Sequence, residues 1–196
     1  MSQRYIVLVT GTPGTGKSSL TAALSAVLGC RAVEERDVIS GALEEDETGR
    51  DSMVVKEERA LELIRAFARD LQGCAIVSTI HPDLWSEACG EELAAVLLLR
   101  TDPRELERRL QGRGWGRRKV VENVLAEAFS VIAEEIVRAG LEECTVELDS
   151  TGWSSPDLPE VFLKLSSWEV GVKVDWLSFP EVLEFTSSLV RELDEY

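Results

Sequence analysis

The chain has 196 residues, a formal net charge of −15 and a hydrophobic content of 44%. These values exclude disordered and fibrous classes and suit one α/β domain with a sizeable core. No apolar run approaches the length of a membrane span or a signal sequence, so we expect neither membrane insertion nor export. The four cysteines are widely spaced and are accompanied by a single histidine. This pattern disfavours a zinc site and favours a reducing cytoplasm, or a nucleus in a eukaryotic cell.

The charge is distributed unevenly. Residues 100–119 contain eight basic and three acidic side chains in an otherwise acidic chain. An acidic protein repels free nucleic acid at long range, so we expect no direct DNA binding and a small polyanion in a cleft instead. A solvated helix face explains Arg104 and Arg108 taken singly, but it explains the arginines between glycines less well.

The first predicted strand, residues 5–9, precedes a glycine-rich loop, residues 11–18, and a predicted helix over 19–28. The loop sequence GTPGTGKS fits the motif G-x-x-x-x-G-K-[ST], and the strand and helix are the context that this motif requires. Backbone N–H groups in such a loop surround a polyphosphate, and the helix N-terminus favours negative charge. A glycine-rich turn without a ligand is the alternative. We therefore expect Lys17 to neutralise phosphate oxygens of a nucleoside triphosphate and Ser18 to hold Mg²⁺.

Further along, strand-like and helix-like segments alternate. Strands are predicted at residues 31–33, 74–79, 94–99 and 145–148. Helices are predicted at residues 37–42, 54–71, from 102 onward, 118–138, 158–165 and 180–193, and an acidic mobile segment at 44–51. This alternation predicts a three-layer α/β/α fold with a mostly parallel five-stranded sheet.

The class of phosphate-loop protein follows from two further features. Asn123 is the only asparagine, so a guanine-specific Asn-Lys-x-Asp box is excluded and a regulatory GTPase is disfavoured. A single phosphate loop and an arginine-rich segment with glycines at 112, 114 and 116 are typical of a small phosphotransferase with a closing lid.

Several sequence blocks carry a more specific resemblance. They are the phosphate loop GTPGTGK, then LLRTDP at 98–103, RL at 109–110, RGW at 113–115 and KVVENV at 119–124, with Glu127 and Phe129 behind. In order and spacing, over about residues 4–165, they resemble the adenylate kinase isoenzyme 6 family. Its members include archaeal adenylate kinases and a eukaryotic coilin-interacting nuclear ATPase.

This resemblance implies the nucleoside monophosphate kinase variant of the phosphate-loop fold in one domain over residues 1–196. The monophosphate-binding arm is expected at about 33–55, a short lid at about 112–122, and a C-terminal tail and helix at 168–196. The family phosphorylates AMP from ATP (ATP + AMP to 2 ADP) and also has ATPase activity. Its members are implicated in small ribosomal subunit maturation through a ribosomal protein partner.

The resemblance also implies site residues. The positions that match the ATP-phosphate binders are Gly14, Thr15, Gly16, Lys17, Ser18, Ser19 and the lid arginine Arg113. The expected catalytic residues are Lys17, Arg113 and Arg109. The expected substrate residues are Asp37 and His81.

One position departs from the family pattern. The family usually has an aspartate two residues before the histidine, where this chain has Thr79. Either Asp83 or Asp37 replaces that carboxylate near Mg²⁺, or a metal-bound water contacts Thr79. His81 is then either functional or a solvated loop residue, and Trp115 either covers a base or packs the lid.

An ATP-dependent nucleoside monophosphate kinase is the leading interpretation. Arginines on a hinged lid suit it, because phosphoryl transfer depends mainly on alignment and charge neutralisation. One alternative is a ribosome-assembly ATPase, since an acidic surface suits a basic ribosomal protein. A remoter alternative is a small-metabolite kinase.

Overall fold

The computed structural model describes residues 4–45 and 53–193. Its strands are β1 (Tyr5–Thr10), β2 (Arg31–Glu34), β3 (Leu43–Glu45), β4 (Met53–Val55), β5 (Cys74–Ser78), β6 (Leu93–Arg100) and β7 (Thr145–Asp149). Five of them form one parallel sheet in the order β2-β5-β1-β6-β7. Strands β3 and β4 form a separate antiparallel pair. The predicted parallel five-stranded sheet is thus confirmed.

Helices cover both faces of this sheet. They are α1 (Lys17–Leu28), α2 (Glu35–Ile39), α3 (Glu57–Asp70), α4 (Pro82–Cys89), α5 (Pro103–Gly112), α6 (Arg117–Ala128), α7 (Val131–Arg138), α8 (Leu158–Ser167) and α9 (Pro180–Leu193). Apolar residues of α1 and α8 pack on one face, and those of α3, α4 and α7 pack on the other. Helices α5, α6 and α9 share a third apolar cluster beside the sheet. The fold therefore has the predicted three layers.

Strand β6 shows why a continuous apolar run becomes a central strand. Leu97 and Leu99 point into the cluster that contains α1, whereas Val96 and Leu98 point into the cluster on the opposite face. All four side chains are fully buried. A parallel strand with both faces covered needs apolar residues at every position rather than at alternate ones.

The predicted helix over 118–138 is two helices, and the reason is a buried arginine. Ser130 lies between α6 and α7 with a left-handed backbone (φ 58°). The guanidinium of Arg100 donates to the Ser130 hydroxyl and to the backbone carbonyl of Glu127. Because this charge from β6 recruits a carbonyl and a hydroxyl at the junction, the local apolar periodicity does not continue as one helix.

The predictions for the segment before α3 are also corrected. Residues 53–55 form β4 and the helix begins only at Glu57, because Val55 pairs with Leu43 in the β3–β4 ladder. Residues 44 and 45 of the predicted mobile segment belong to β3. Residues 46–51 lie outside the described part of the chain.

Two of the four cysteines are paired, which corrects the basis for expecting a reducing compartment. Cys30 and Cys74 form a disulfide with their Cα atoms 4.9 Å apart. Parallel pairing of β2 with β5, in which Arg31 lies beside Ala75, brings the two cysteines together at the amino ends of both strands. Cys89 and Cys144 are free thiols.

Across residues 4–45 and 53–193, no helix has the length and apolarity needed to cross a membrane.

Candidate functional site

The glycine-rich loop runs from the carboxyl end of β1 into α1 and is pressed against its neighbours. A Cβ atom on Gly11 would lie 2.4 Å from the Leu99 carbonyl oxygen, and one on Gly14 would lie 2.7 Å from the Leu106 side chain. Both glycines also have positive φ angles, of 137° and 102°. Only glycine satisfies the space and the backbone conformation together at these positions.

Lys17 closes the loop from the first position of α1. Its ammonium nitrogen donates to the carbonyl oxygens of Gly11 (2.7 Å) and Thr12 (3.2 Å). Burial lowers the Lys17 pKa to about 8, against the opposing effect of the Glu35 carboxylate. Lys17 is half-buried, so its ammonium has less water to lose than an exposed lysine when it binds an anion.

A cavity of about 360 Å³ opens beside this loop at the carboxyl edge of the sheet. Its walls come from the loop and the start of α1, the β2–α2 junction, the end of β5, and the connection between α5 and α6. The cationic side chains on these walls are Lys17, Arg36 and Arg113. Open parallel sheets bind ligands at this edge, where the loops that follow the strands converge.

Glu35 is the residue in this wall that the sequence analysis missed. Its carboxylate accepts hydrogen bonds from four donors: the Thr79 hydroxyl (2.5 Å), the Trp85 indole N–H (2.9 Å), the His81 ring Nδ1 (3.0 Å) and the Ile80 backbone N–H (3.3 Å). Burial alone raises the pKa of Glu35, but the hydrogen bonds from His81, Thr79 and Trp85 outweigh it and hold the pKa below 4.5. The available signal was two acidic residues directly after the short predicted strand at 31–33.

His81 and Asp83 lie behind this wall rather than in the cavity lining. Burial lowers the pKa of His81, but its hydrogen bond and charge pairing with Glu35 raise it above 6.5 overall. Asp83 is exposed in the first turn of α4, and its charge also raises the His81 pKa. Asp37 is exposed on another surface, in a groove with Arg31 and Phe67.

The structure brings most of the predicted phosphate-binding residues together. Those that line the cavity are Gly14, Gly16, Lys17, Ser18, Ser19 and Arg113. Thr15 is buried behind the loop, where its hydroxyl donates to the Thr12 carbonyl. Arg109 does not line the cavity: it donates to the carbonyl oxygens of Ser150, Thr151 and Trp153 and to Glu105.

The expected lid is mostly helix. Only residues 113–116 separate α5 from α6, and Arg117 pairs with Glu107 and Glu192 at the start of α6. Trp115 both lines the cavity and packs on the α5–α6–α9 cluster, so the two alternatives for this residue are compatible. The ammonium nitrogen of Lys119 lies 5.1 Å from the centre of the Trp115 indole ring.

A buried polar network stands behind the loop. Glu127 accepts hydrogen bonds from the Thr12 hydroxyl (2.6 Å), the Arg100 guanidinium (2.8 Å) and the Trp176 indole (3.0 Å). Arg100 also pairs with Glu147, whose carboxylate accepts two backbone N–H groups at residues 173 and 174. The glycine-rich loop is thereby connected to the C-terminal part of the chain.

The donor set fits a magnesium ion that arrives with a polyphosphate. Ser18 is exposed to the cavity beside Lys17, and Glu34 and Glu35 line the same cavity. Among the described residues, no group of three or more His, Cys, Asp or Glu side chains is arranged to hold a metal. Mg²⁺ commonly binds through few protein oxygens together with substrate phosphates and water, so the Ser18 hydroxyl with carboxylate charge nearby suffices.

Comparison with known proteins agrees with this architecture. A family model described as an AAA domain matches residues 7–130. A protein of Sulfurisphaera tokodaii named "Putative adenylate kinase" is 34% identical over 193 residues, covering 97% of this chain and 96% of the relative. A protein of the same name from Thermococcus kodakarensis is 34% identical over 189 residues, covering 92% of this chain and 98% of the relative.

A solved structure supports the fold. Shikimate kinase from Acinetobacter baumannii superimposes with a TM-score of 0.57 at 14% identity, over 85% of this chain and 94% of that one. Fold, loop and sequence matches agree, and the chain therefore belongs to the P-loop kinase family that includes the proteins named "Putative adenylate kinase".

Proposed function

We propose that this chain is an ATP- and Mg²⁺-dependent nucleoside monophosphate kinase with AMP as its acceptor, and that it also hydrolyses ATP. The observation that carries the proposal is the cavity itself. A glycine-rich loop with Lys17 forms one wall, and cations from two other elements, Arg36 and Arg113, face the same space. Two phosphate-bearing ligands need such a distribution of positive charge, because their like charges otherwise keep them apart. The names of the relatives support the choice of acceptor.

The donor triphosphate would lie along the loop. Its oxygens replace the carbonyls of Gly11 and Thr12 as partners of Lys17, while backbone N–H groups of residues 14–19 donate to the α- and β-phosphates. Ser18 is the proposed protein ligand of Mg²⁺, which when bound neutralises oxygens of the β- and γ-phosphates. These assignments rest on the matching motif and on the side chains that line the cavity.

Lys17 and Arg113 are the residues proposed to act on the transferred group. Both reach the cavity, and the positive charge of Arg113 is close enough to lower the pKa of Lys17. Arg109 is reassigned to a positioning role, because its guanidinium is bound to carbonyl oxygens of residues 150–153.

On the acceptor side, we propose that Arg36 binds the phosphate of the monophosphate. Arg36 is exposed in the cavity wall, and within residues 4–45 and 53–193 its ion-pair partner is Asp37, at 4.0 Å. Asp37 and His81, the substrate residues expected from the resemblance, act indirectly: one faces another groove and the other lies behind Glu35. The proposed arm over 33–55 includes residues outside the described part of the chain.

The sequence blocks at 98–103, 113–115 and 119–124 support a finer placement in the isoenzyme 6 group. This placement brings the second candidate function, a ribosome-assembly ATPase that acts through a small-subunit ribosomal protein. The net charge of −15 favours this candidate, because it complements a basic partner.

The decisive experiment supplies purified protein with ATP, Mg²⁺ and each nucleoside monophosphate in turn and separates the products by chromatography. We expect AMP to be converted to ADP with equal consumption of ATP. Lys17→Ala should abolish conversion while its melting temperature stays close to that of the wild type, because charge rather than core volume is removed. Full activity in this variant would refute the assignment.

The two candidates differ in what ATP turnover depends on. A kinase forms ADP from ATP only slowly until AMP is added. If the rate of phosphate release from ATP does not depend on AMP and rises only with a small-subunit ribosomal protein, the assembly ATPase is favoured instead.

A further inference from the structure

The acidic residues that line the cavity at the sheet edge, Glu34 and Glu35, come from the end of β2 and not from the end of β5. At the end of β5 the chain has Thr79, a buried residue of the cavity wall. Glu35 is the adjacent residue across the β2–β5 pairing, since Glu34 is in register with Ser78. The Glu35 side chain is 8% exposed, so its charge is held inside the wall rather than in solvent.

The carboxylate of Glu35 is fully occupied. A carboxylate has about four lone-pair directions, and the four donors at residues 79, 80, 81 and 85 use them. Glu35 therefore has no free oxygen with which to bind a ligand directly. Apart from the charge that it places near Lys17, its effect on the cavity passes through the groups that it holds.

Of the residues that donate to Glu35, Thr79 and Ile80 belong to the cavity wall, and Thr79 is the one of these two that donates from its side chain. Its hydroxyl proton is committed to Glu35, at an O···O distance of 2.5 Å, and the hydroxyl oxygen accepts the backbone N–H of His81 (2.8 Å). One lone pair of this oxygen remains. A hydroxyl whose proton is committed to an anion presents only an acceptor to its other side, as a carboxylate oxygen does.

We propose that Glu35 is a positioning residue that makes Thr79 an obligatory acceptor, and that this acceptor orients the hydration shell of a Mg²⁺ ion carried by the nucleotide. The pair thus does with two side chains what a single carboxylate at position 79 would do. This inference rests on the proposed function, since it requires Mg²⁺–ATP in the cavity. It assigns no role in direct coordination to Asp37 or Asp83, both of which are exposed and absent from the cavity wall.

The test measures how much Mg²⁺ strengthens ATP binding. Calorimetry gives the dissociation constant of ATP with excess Mg²⁺ and with EDTA, and the ratio of the two is the magnesium gain. We expect Glu35→Gln to reduce this gain roughly tenfold through weaker binding with Mg²⁺, the size of one lost charge-assisted hydrogen bond. Affinity in EDTA should not fall, because the charge lost near Lys17 is negative. An equal loss of affinity with Mg²⁺ and with EDTA would overturn the proposal.

A pair of variants at Thr79 keeps the test decisive if Glu35→Gln folds poorly. Thr79→Val has the same shape without the hydroxyl and should lose the gain, whereas Thr79→Ser should keep it. The double variant Glu35→Gln/Thr79→Asp returns a carboxylate to the end of β5 and should restore the gain. The assigned mechanism would be contradicted if Thr79→Val kept the magnesium gain of the wild type, or if the double variant did not recover it.

Controls separate this proposal from its alternatives. Glu87→Gln removes an exposed carboxylate on α4 that pairs with Arg65 and should leave the gain unchanged. A loss of gain in Asp37→Asn or Asp83→Asn, with Glu35→Gln unaffected, would transfer the role to that aspartate. If the wild-type protein binds ATP in neither condition, the proposed function itself fails. If it binds with a gain that no variant changes, only the inference fails.

Discussion

Arg109 and Arg113 lie one helical turn apart in the sequence, but their surroundings differ. Arg109 is largely buried and bound to three carbonyl oxygens, whereas Arg113 is exposed at the cavity wall. The family resemblance assigned both arginines to catalysis, because it matches positions in the sequence and does not show what each side chain contacts. Their roles are therefore separable by substitution.

We expect Arg113→Ala to lower kcat by about 10²- to 10³-fold, the usual cost of removing a cation from a transferred phosphoryl group, with little change in melting temperature. Arg109→Ala should lower the melting temperature with little change in kcat, since it removes a donor from the carbonyl oxygens of Ser150, Thr151 and Trp153. Steady-state kinetics and thermal melts of both variants check this. Equal kinetic losses in the two would contradict the separation.

At the same scale, the limits of sequence reasoning are visible in Glu35. Lys17 and Ser18 belong to a local motif, so their place at the cavity follows from spacing alone. The partners of Glu35 begin 44 positions further along the chain, and only the pairing of β2 with β5 reveals that they meet. Asp37 shows the opposite error. It is only two positions from Glu35 in the sequence and was expected at the site, but it faces a different groove.

The Glu35–His81 pair should also be visible in the pH dependence of stability. Because the His81 pKa is raised above 6.5 by Glu35, its contribution is complete below pH 6.5 and is lost as pH rises through the folded-state pKa. The Glu35 pKa is lowered from 4.5, so the carboxylate is ionised above that pH in both states. His81→Gln should therefore cost more at pH 5.5 than at pH 8.5 in urea unfolding. A cost that does not change with pH would mean that the pair is not ionic in the fold.

At the level of elements, most of the fold could be predicted because most elements are locally determined. Apolar runs identified β1, β5 and β6, and helical periodicity identified α3. The break between α6 and α7 could not be predicted, since it depends on Arg100 in β6, which is remote in sequence and buried beneath the junction. Local periodicity does not predict the ends of helices that depend on a charged residue far away in the sequence.

The disulfide between β2 and β5 makes a prediction about these two strands. It closes a loop with a sequence separation of 44 residues, for which a chain-entropy argument gives about 2–4 kcal/mol of stabilisation. Reduction, or Cys30→Ser with Cys74→Ser, should lower the free energy of unfolding by this amount. ATP affinity should not change, because the cysteines lie at the strand ends opposite the cavity. Cys144→Ser is the matched control, and a loss of equal size there would contradict the assignment.

Across the whole molecule, the C-terminal segment is tied to the phosphate loop. Residues 170–174 run along β7, where Gly171 donates to the Thr145 carbonyl, and Trp176 then reaches Glu127. Glu127 in turn holds the hydroxyl of Thr12. Removal of the Trp176 donor should therefore also affect the glycine-rich loop.

We expect Trp176→Phe to lower the free energy of unfolding by about 1–3 kcal/mol, because the buried carboxylate of Glu127 loses a donor while an aromatic side chain, though a smaller one, still fills the site. ATP affinity should fall as well, since Thr12 is then held less firmly. Trp168→Phe, at a side chain that is 48% exposed, should change neither quantity. Chemical unfolding and calorimetry of both variants measure the two effects, and a loss of stability without any change in affinity would show that the network does not reach the loop.

The small set of cations around the cavity has a kinetic consequence for a chain of net charge −15. A nucleotide anion approaching from a distance meets repulsion and is drawn in only near the aperture formed by Lys17, Arg36 and Arg113. The Debye length shortens from about 30 Å at 0.01 M salt to about 8 Å at 0.15 M, so added salt screens the distant repulsion more than the near attraction. Stopped-flow measurements with a fluorescent ATP analogue should then show an association rate constant that increases with salt, opposite to the behaviour of proteins that steer their ligands by net charge. For this protein, ordinary cellular ionic strength would assist capture.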